Sequence, residues 1–283
     1  MLLDKNFPKK EINRTISRRD FLKLIPPVAL AGLLSSRNIE NVIAAPKKPI
    51  LNLKGIDLAG WTVDLGDALY ARPVEEAPVD ISDIETVRLR KYSELRANIN
   101  RRVIMAHNIT YKRIIDNDLL NYKHTCSYQL KMPYLPLPDV SAPWNAQTIE
   151  GGIFVWDGAS TQRDYGTAFQ WELNPWGDFG AVKIWTTDIN GVGQWITAGN
   201  MTPDTKWHNV RMIVDIPSGT AGLFIDNTPY PAYFSATAKT GWGTEVAARL
   251  QAEIVSIYPE PSGIQAAHKA QFRNWRWYGR YVL

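Results

Sequence analysis

Val210-Arg211-Met212-Ile213-Val214-Asp215-Ile216, then Pro217-Ser218-Gly219-Thr220, then Ala221-Gly222-Leu223-Phe224-Ile225-Asp226-Asn227 decides the fold class. Two runs rich in β-branched and apolar residues flank a cluster of turn formers, which is the pattern of a hairpin. Working outward, residues 81–283 continue as short alternating segments separated by Gly, Pro, Asn and Asp. That spacing predicts an all-β antiparallel sandwich or barrel. Only Glu245 to Ala252 reads as a short helix. No repeat, heptad or low-complexity tract interrupts the series.

The domain plan has three parts: a leader over 1–44, a lead-in strand and linker over 45–80, and a β domain over 81–283. The leader carries Ser17-Arg18-Arg19-Asp20-Phe21-Leu22-Lys23 and then an apolar run from Leu24 to Leu34. This resembles a twin-arginine export signal, with Arg18 and Arg19 as its signature pair and cleavage expected after Ala44. The run is too short to span a bilayer, which takes roughly 20 apolar residues, and it contains Pro26 and Pro27. The resemblance implies a periplasmic or extracellular protein, the twin-arginine translocase as a transient partner, and membrane contact only through the signal.

Charge and cysteine usage agree with that plan. Eight of the 32 Lys and Arg and four of the 28 Asp and Glu precede residue 45, so the net charge of +4 belongs to the leader. The remainder is balanced and makes no case for a nucleic-acid partner. Cys126 is the only cysteine, which excludes an intramolecular disulfide framework; within Thr125 to Leu130 it reads as a small buried strand residue.

Trp207-His208-Asn209-Val210 followed by Leu223-Phe224-Ile225-Asp226-Asn227 resembles the core of concanavalin A-like and laminin-G-like jelly rolls. Phe272-Arg273-Asn274-Trp275-Arg276-Trp277-Tyr278 is similar to their closing strand. The resemblance implies a concanavalin A-like sandwich, with His208 as a packed, hydrogen-bonded strand residue.

Alternation then sorts side chains by face. In Tyr92 to Ile99, Ser93, Leu95, Ala97 and Ile99 point inward, leaving Tyr92, Glu94, Arg96 and Asn98 outside. Phe169, Trp171 and Leu173 face the core, with Gln170 and Glu172 opposite. Val182 and Ile184 go in; Lys183 and Trp185 go out. Carboxylate, amide, guanidinium, ammonium and indole on one surface suit a sugar, whose hydroxyls need donors and acceptors and whose C–H faces pack on aromatic rings. The loop Gly158 to Tyr165 adds Arg163 and Tyr165 to this expected ligand-binding set.

Tyr92-Ser93-Glu94-Leu95-Arg96 and Phe169-Gln170-Trp171-Glu172 also resemble strands of jelly-roll polysaccharide lyases, with Glu172 standing where those families carry histidine. Arg273, Tyr278 and Tyr281 are loose counterparts of their closing strand. The resemblance implies β-elimination on an acidic glycan, with Arg96 and Gln170 on the uronate carboxylate and His107 as the candidate for proton transfer.

Retaining hydrolysis would need a second carboxyl near Glu172, and Glu94 across the sheet is the available partner. The four histidines show no zinc spacing and no metal cluster is legible, although Asp157 or Asp226 could serve a structural calcium. Three functions remain open: a polysaccharide- or oligosaccharide-recognising module on a concave sheet, a lyase in the same groove, and an envelope structural or interaction module whose aromatics are all core. Both glycan readings require Glu94, Arg96, Gln170 and Lys183 to share one groove.

Overall fold

The computed structural model describes residues 51–69, 79–99, 105–139, 147–156, 164–187, 193–232, 246–257 and 266–282. Fifteen strands are found there. The hairpin expected around Pro217 to Thr220 forms from β11 (His208–Asp215) and β12 (Thr220–Ile225), paired in antiparallel register from Val210↔Ile225 to Asp215↔Thr220. Gly219, at φ 64°, turns the chain, and Ser218 N–H donates to Asp215 Oδ1 at 3.2 Å. Asp226 and Asn227, at φ 50° and 67°, make the next two-residue turn into β13 (Thr228–Tyr230). These two residue types tolerate the left-handed region, and a hairpin turn that matches strand twist demands it at both positions.

One sheet of eight strands follows the order β13, β12, β11, β6 (Tyr122–Lys131), β15 (Ala266–Tyr281), β4 (Tyr92–Ile99) and β3 (Ile84–Leu89), with β1 (Leu51–Gly55) also paired to β15. The other has seven, in the order β10 (Gly193–Asn200), β9 (Ala181–Thr187), β8 (Asp164–Leu173), β7 (Gln147–Trp156), β14 (Ala247–Ile257), β5 (Met105–Ile115) and β2 (Thr62–Leu69). All the pairings among the described residues are antiparallel, so the molecule is an all-β sandwich of two antiparallel sheets. Residues 51–69, expected as a lead-in strand and linker, supply β1 to one sheet and β2 to the other.

The core lies between the sheets. Strict alternation along β6 sends Tyr122, His124, Cys126, Tyr128 and Leu130 inward. They meet a layer that includes Trp171, Phe169, Ile149, Ile153 and Leu250 from the facing sheet. Trp171, Trp275 and Trp277 are buried, whereas Trp207 is half-buried beneath Arg273, whose guanidinium lies 3.9 Å from its ring centre. Cys126 is buried and free, as its strand context suggested. Asn108 joins the layers by donating from Nδ2 to Glu85 O at 2.7 Å and Arg96 O at 3.0 Å.

Of the helix expected over Glu245 to Ala252, residues 247–252 are instead the first half of β14, and Glu245 lies outside the described residues. Ala-Ala-Arg-Leu-Gln-Ala has good helix formers, but tertiary pairing on both edges outweighs so weak a preference. Ala248, Leu250, Ala252 and Ile254 face the core, and the small alanines let the sheets approach. Arg249, Gln251 and Glu253 are thereby sent to the outer face.

Candidate functional site

The residues expected to share one groove are divided between the sheets. Glu94 and Arg96 sit on the outer face of the eight-stranded sheet, where Arg96 donates to Glu94 Oε1 at 2.8 Å and Glu85 Oε1 at 3.0 Å. Gln271 donates to the other Glu94 oxygen at 2.9 Å. Burial opposes the Glu94 charge, but the hydrogen bonds from Gln271 and Arg96 and the nearby cations leave its carboxyl below the ordinary range. This is an ion-pair network in which Arg96 bridges Glu94 and Glu85, and both Glu94 oxygens accept a hydrogen bond.

Gln170, Glu172, Lys183 and Trp185 lie on the outer face of the seven-stranded sheet. The common groove of Glu94, Arg96, Gln170 and Lys183 is therefore not formed, because β4 belongs to one sheet and β8 and β9 to the other. Tyr165, expected in the groove, is 1% exposed and packs in the core. Arg163 and Asp157 lie outside the described residues, as do Arg18 and Arg19. Asp226 spends both carboxylate oxygens within its turn, one 2.6 Å from His208 Nδ1 and one accepting from Asn209 N–H at 2.8 Å. His208 is buried, holds Asp204 through Nε2 at 2.9 Å, and sets its ring edge-on to Trp171, the packed role its motif implied.

What the seven-stranded sheet does assemble follows from register. One cross-strand row runs Ile109, Glu253, Glu150, Gln170, Lys183 and Thr197 over β5, β14, β7, β8, β9 and β10. The next runs Tyr111, Gln251, Gly152, Ala168, Trp185 and Trp195. Large polar groups thus stand beside a low stretch of glycine and alanine, with two indoles at its end. A Cβ on Gly152 would come within 2.6 Å of the Phe154 ring and 2.9 Å of Ala168 Cβ, so the floor has no room for a larger residue. Gly193 likewise leaves space against which the Trp185 ring lies, and Trp195 packs on Trp185 at 5.3 Å between ring centres.

The resulting groove, ≈ 280 Å³, is bounded by His107, Glu150, Arg249, Gln251 and Glu253 on one side and Phe154, Trp185 and Trp195 on the other. Glu150 and Glu253 are directly opposed neighbours on paired strands. Burial, then the Glu253 charge, pushes the Glu150 carboxyl from its ordinary 4.5 up to about 8, against the opposing pull of His107 and of the Gln170 hydrogen bond. Gln170 donates to Glu150 Oε1 at 2.5 Å, and His107 Nδ1 lies 3.7 Å from Glu253 Oε2. Lys183 is ion-paired with Glu172 beside the row.

Chemically the arrangement offers a carboxylic acid next to a second carboxyl group, with an imidazole at hand. Ligand atoms of His107, Glu150 and Glu253 also lie within 4.8 Å of one another. Linear spacing could not reveal this, since the three residues come from β5, β7 and β14.

A second surface depression, ≈ 460 Å³, lies over Ser127, Gln129, Asn209, Arg211, Phe224 and Asn274 on the eight-stranded sheet. Its polar groups are largely occupied: Gln129 bonds Asn209, Arg273 and Asn274, and Arg211 covers Phe224 at 4.2 Å. The groove on the seven-stranded sheet has open valences instead. Among the described residues, Trp185 Nε1 and Gln251 Oε1 are buried atoms with no hydrogen-bond partner.

No family model and no curated protein matches the chain. Solved structures do resemble it. An alginate lyase from Pseudomonas aeruginosa is 12% identical, with 80% of this chain and 100% of that one covered at a TM-score of 0.44. Peanut lectin is 12% identical over 82% of this chain and 97% of its own, at a TM-score of 0.43. A sialidase is 9% identical over 69% of this chain and only 16% of its own length, at a TM-score of 0.42. Likeness of this degree concerns the fold and leaves function to the site.

Proposed function

We propose that this protein recognises a polysaccharide or oligosaccharide in the groove of the seven-stranded sheet. The observation that carries the reading is the pairing of an indole wall, Trp185 against Trp195, with buried polar atoms that lack partners, Trp185 Nε1 and Gln251 Oε1. Pyranose C–H faces pack on indoles, while hydroxyls can accept from the indole N–H and donate to the amide oxygen. The residues differ from those the sequence singled out. The site the sequence required, with Glu94, Arg96, Gln170 and Lys183 in one groove, is not formed, and the reading rests on a different lining: of the expected residues Trp185 and His107 border the groove, and Glu150, Glu253, Gln251 and Trp195 enter. Elimination on a uronate is not proposed, because Arg96, its expected carboxylate-binding group, belongs to the other face.

Affinity electrophoresis through gels containing neutral and acidic polysaccharides tests the reading. Retardation by at least one polymer is expected, relieved by soluble oligosaccharides of that polymer and weakened about tenfold or more by Trp185→Ala, given about 1–3 kcal/mol for a well-packed aromatic contact. Retardation by none would favour a structural or interaction module.

Export through the twin-arginine translocase, and with it a periplasmic or extracellular location, is the companion proposal, resting on Arg18 and Arg19 in their sequence setting. Replacing both by lysine should leave the protein in the cytoplasmic fraction; undiminished export of that double variant would contradict it.

A further inference from the structure

We infer that His107, Glu150 and Glu253, with Gln251 as a further oxygen donor, form a binding site for one divalent metal ion of the zinc class on the outer face of the seven-stranded sheet. The inference stands apart from the glycan reading, because every donor is the chain's own. Register brings the donors together. Glu253 stands directly opposite Glu150 on β7, and on its other side β14 pairs with β5, where His107 lies two residues from Glu253's partner Ile109. All three side chains line one groove, and a ligand atom from each lies within 4.8 Å of the others. For three atoms so confined, some point lies within about 2.8 Å of all of them, against roughly 2.0–2.2 Å for zinc bonds to imidazole and carboxylate. Side-chain shifts of less than about 1 Å close that difference. His107 Nδ1 stands 3.7 Å from Glu253 Oε2. That is beyond hydrogen-bond reach but near the about 3.3–3.6 Å that separates two donors on a tetrahedral zinc ion.

Charge is the second argument. Glu150 and Glu253 are 8% and 6% exposed. Like charges directly opposed on paired strands destabilise a sheet, and buried charges are kept where they are paired or bind a metal. Among the described residues His107 alone is the ion-pair partner of Glu253, and Lys183, further along the row, is ion-paired with Glu172. A dication would balance the two carboxylates. The Gln170 amide donates to Glu150 Oε1, which orients that carboxyl and leaves Oε2 to the ion.

The third argument does not involve the acids. Gln251 is 7% exposed, lines the same groove, and its Oε1 has no hydrogen-bond partner among the described residues. It lies two residues before Glu253 and so on the same face of β14. An amide oxygen offers two lone pairs, so one can meet the ion while the other accepts from a sugar hydroxyl. The donor set also selects the ion. Imidazole beside carboxylate suits zinc and its neighbours, whereas calcium and magnesium take oxygen donors.

The test uses the full chain, prepared without a polyhistidine tag and freed of metal by a chelator. Titration calorimetry with zinc should find one ion per chain. Zinc at a hundredfold above its Kd should raise the unfolding temperature by about 5 °C or more, and calcium at that concentration should not. Glu253→Gln and Gln251→Ala should each weaken zinc about tenfold or more. In nuclear magnetic resonance of the unaltered protein, zinc should move the imidazole signals of His107 and leave those of His124, His208 and His268 in place. That readout needs no variant, so misfolding cannot hide the answer. Absence of zinc binding would overturn the inference, as would zinc that moves His208 instead or binds Glu253→Gln as tightly as wild type. Equal stabilisation by calcium would overturn the assigned class of ion.

Discussion

Glu150 and His124 set opposite slopes on the pH dependence of stability. For Glu150, the folded carboxyl is raised from 4.5 to about 8, first by burial and then by Glu253. The folded state binds more protons than the unfolded one in that window, so this contribution is complete below about pH 4.5 and is lost as pH rises through about 8. His124 is the reverse. Burial lowers its imidazole from 6.5 to about 4, while Trp277 Nε1 donates to its Nδ1 at 3.3 Å and its Nε2 faces Leu119 O at 3.1 Å. That contribution is complete above about pH 6.5 and is lost as pH falls through about 4. Thermal unfolding across pH 4–9 should show both declines, and Glu150→Gln should flatten the alkaline one while leaving the acid one in place. Residue facing was the part of the site most legible in the sequence: Ser93, Leu95 and Ala97 in, Gln170 and Lys183 out, all from a two-residue period. Tyr165 was not legible. A tyrosine beside a polar loop suits groove and core equally until its strand is placed.

At the scale of elements, β15 and β14 show what local pattern can and cannot specify. β15 runs sixteen residues, pairing with β6 along one edge and with β4 and then β1 along the other. Its register to β6 shifts between Arg273 and Arg276, with Asn274 at φ 53° and its N–H donating to Ile56 O at 2.9 Å. Asn tolerates that left-handed geometry, and a β-branched residue does not. Urea denaturation should find Asn274→Gly within about 1 kcal/mol of wild type and Asn274→Val destabilised by about 1–2 kcal/mol or more. Equal stability of the two variants would mean that the bulge places no conformational demand on residue 274. β14 was misread as helix because alanine, arginine, leucine and glutamine favour that state locally. The misreading hid half the site, since Arg249, Gln251 and Glu253 share a face only if the segment alternates as a strand. Signals for the strand were present in the β-branched Ile254, Val255 and Ile257 that follow. Within the same sheet, Gly193→Ala should displace the Trp185 ring and weaken glycan retardation with little change in fold, which near-ultraviolet circular dichroism beside the electrophoresis would register.

For the whole molecule, the decisive fact is which strand joins which sheet. Alternation assigns a side chain to the inside or the outside, but a sandwich has two outsides. Glu94 and Arg96 satisfied the outward rule as well as Gln170 and Lys183 did, yet they lie on opposite faces. Sheet membership comes from long-range pairing such as Gln271↔Glu94 on one side and Gln170↔Lys183 on the other, which no local spacing records. The fold class needed only the number of strands and their turns, and so could be read directly. The account stands on the claim that the seven-stranded face, and not the eight-stranded one, meets the glycan. The most direct measurement compares Trp185→Ala with Arg96→Ala for retardation by one polysaccharide that retards the wild type. The account predicts that Trp185→Ala loses about tenfold or more in affinity while Arg96→Ala matches wild type. Loss of retardation in Arg96→Ala, with Trp185→Ala unchanged, would contradict it.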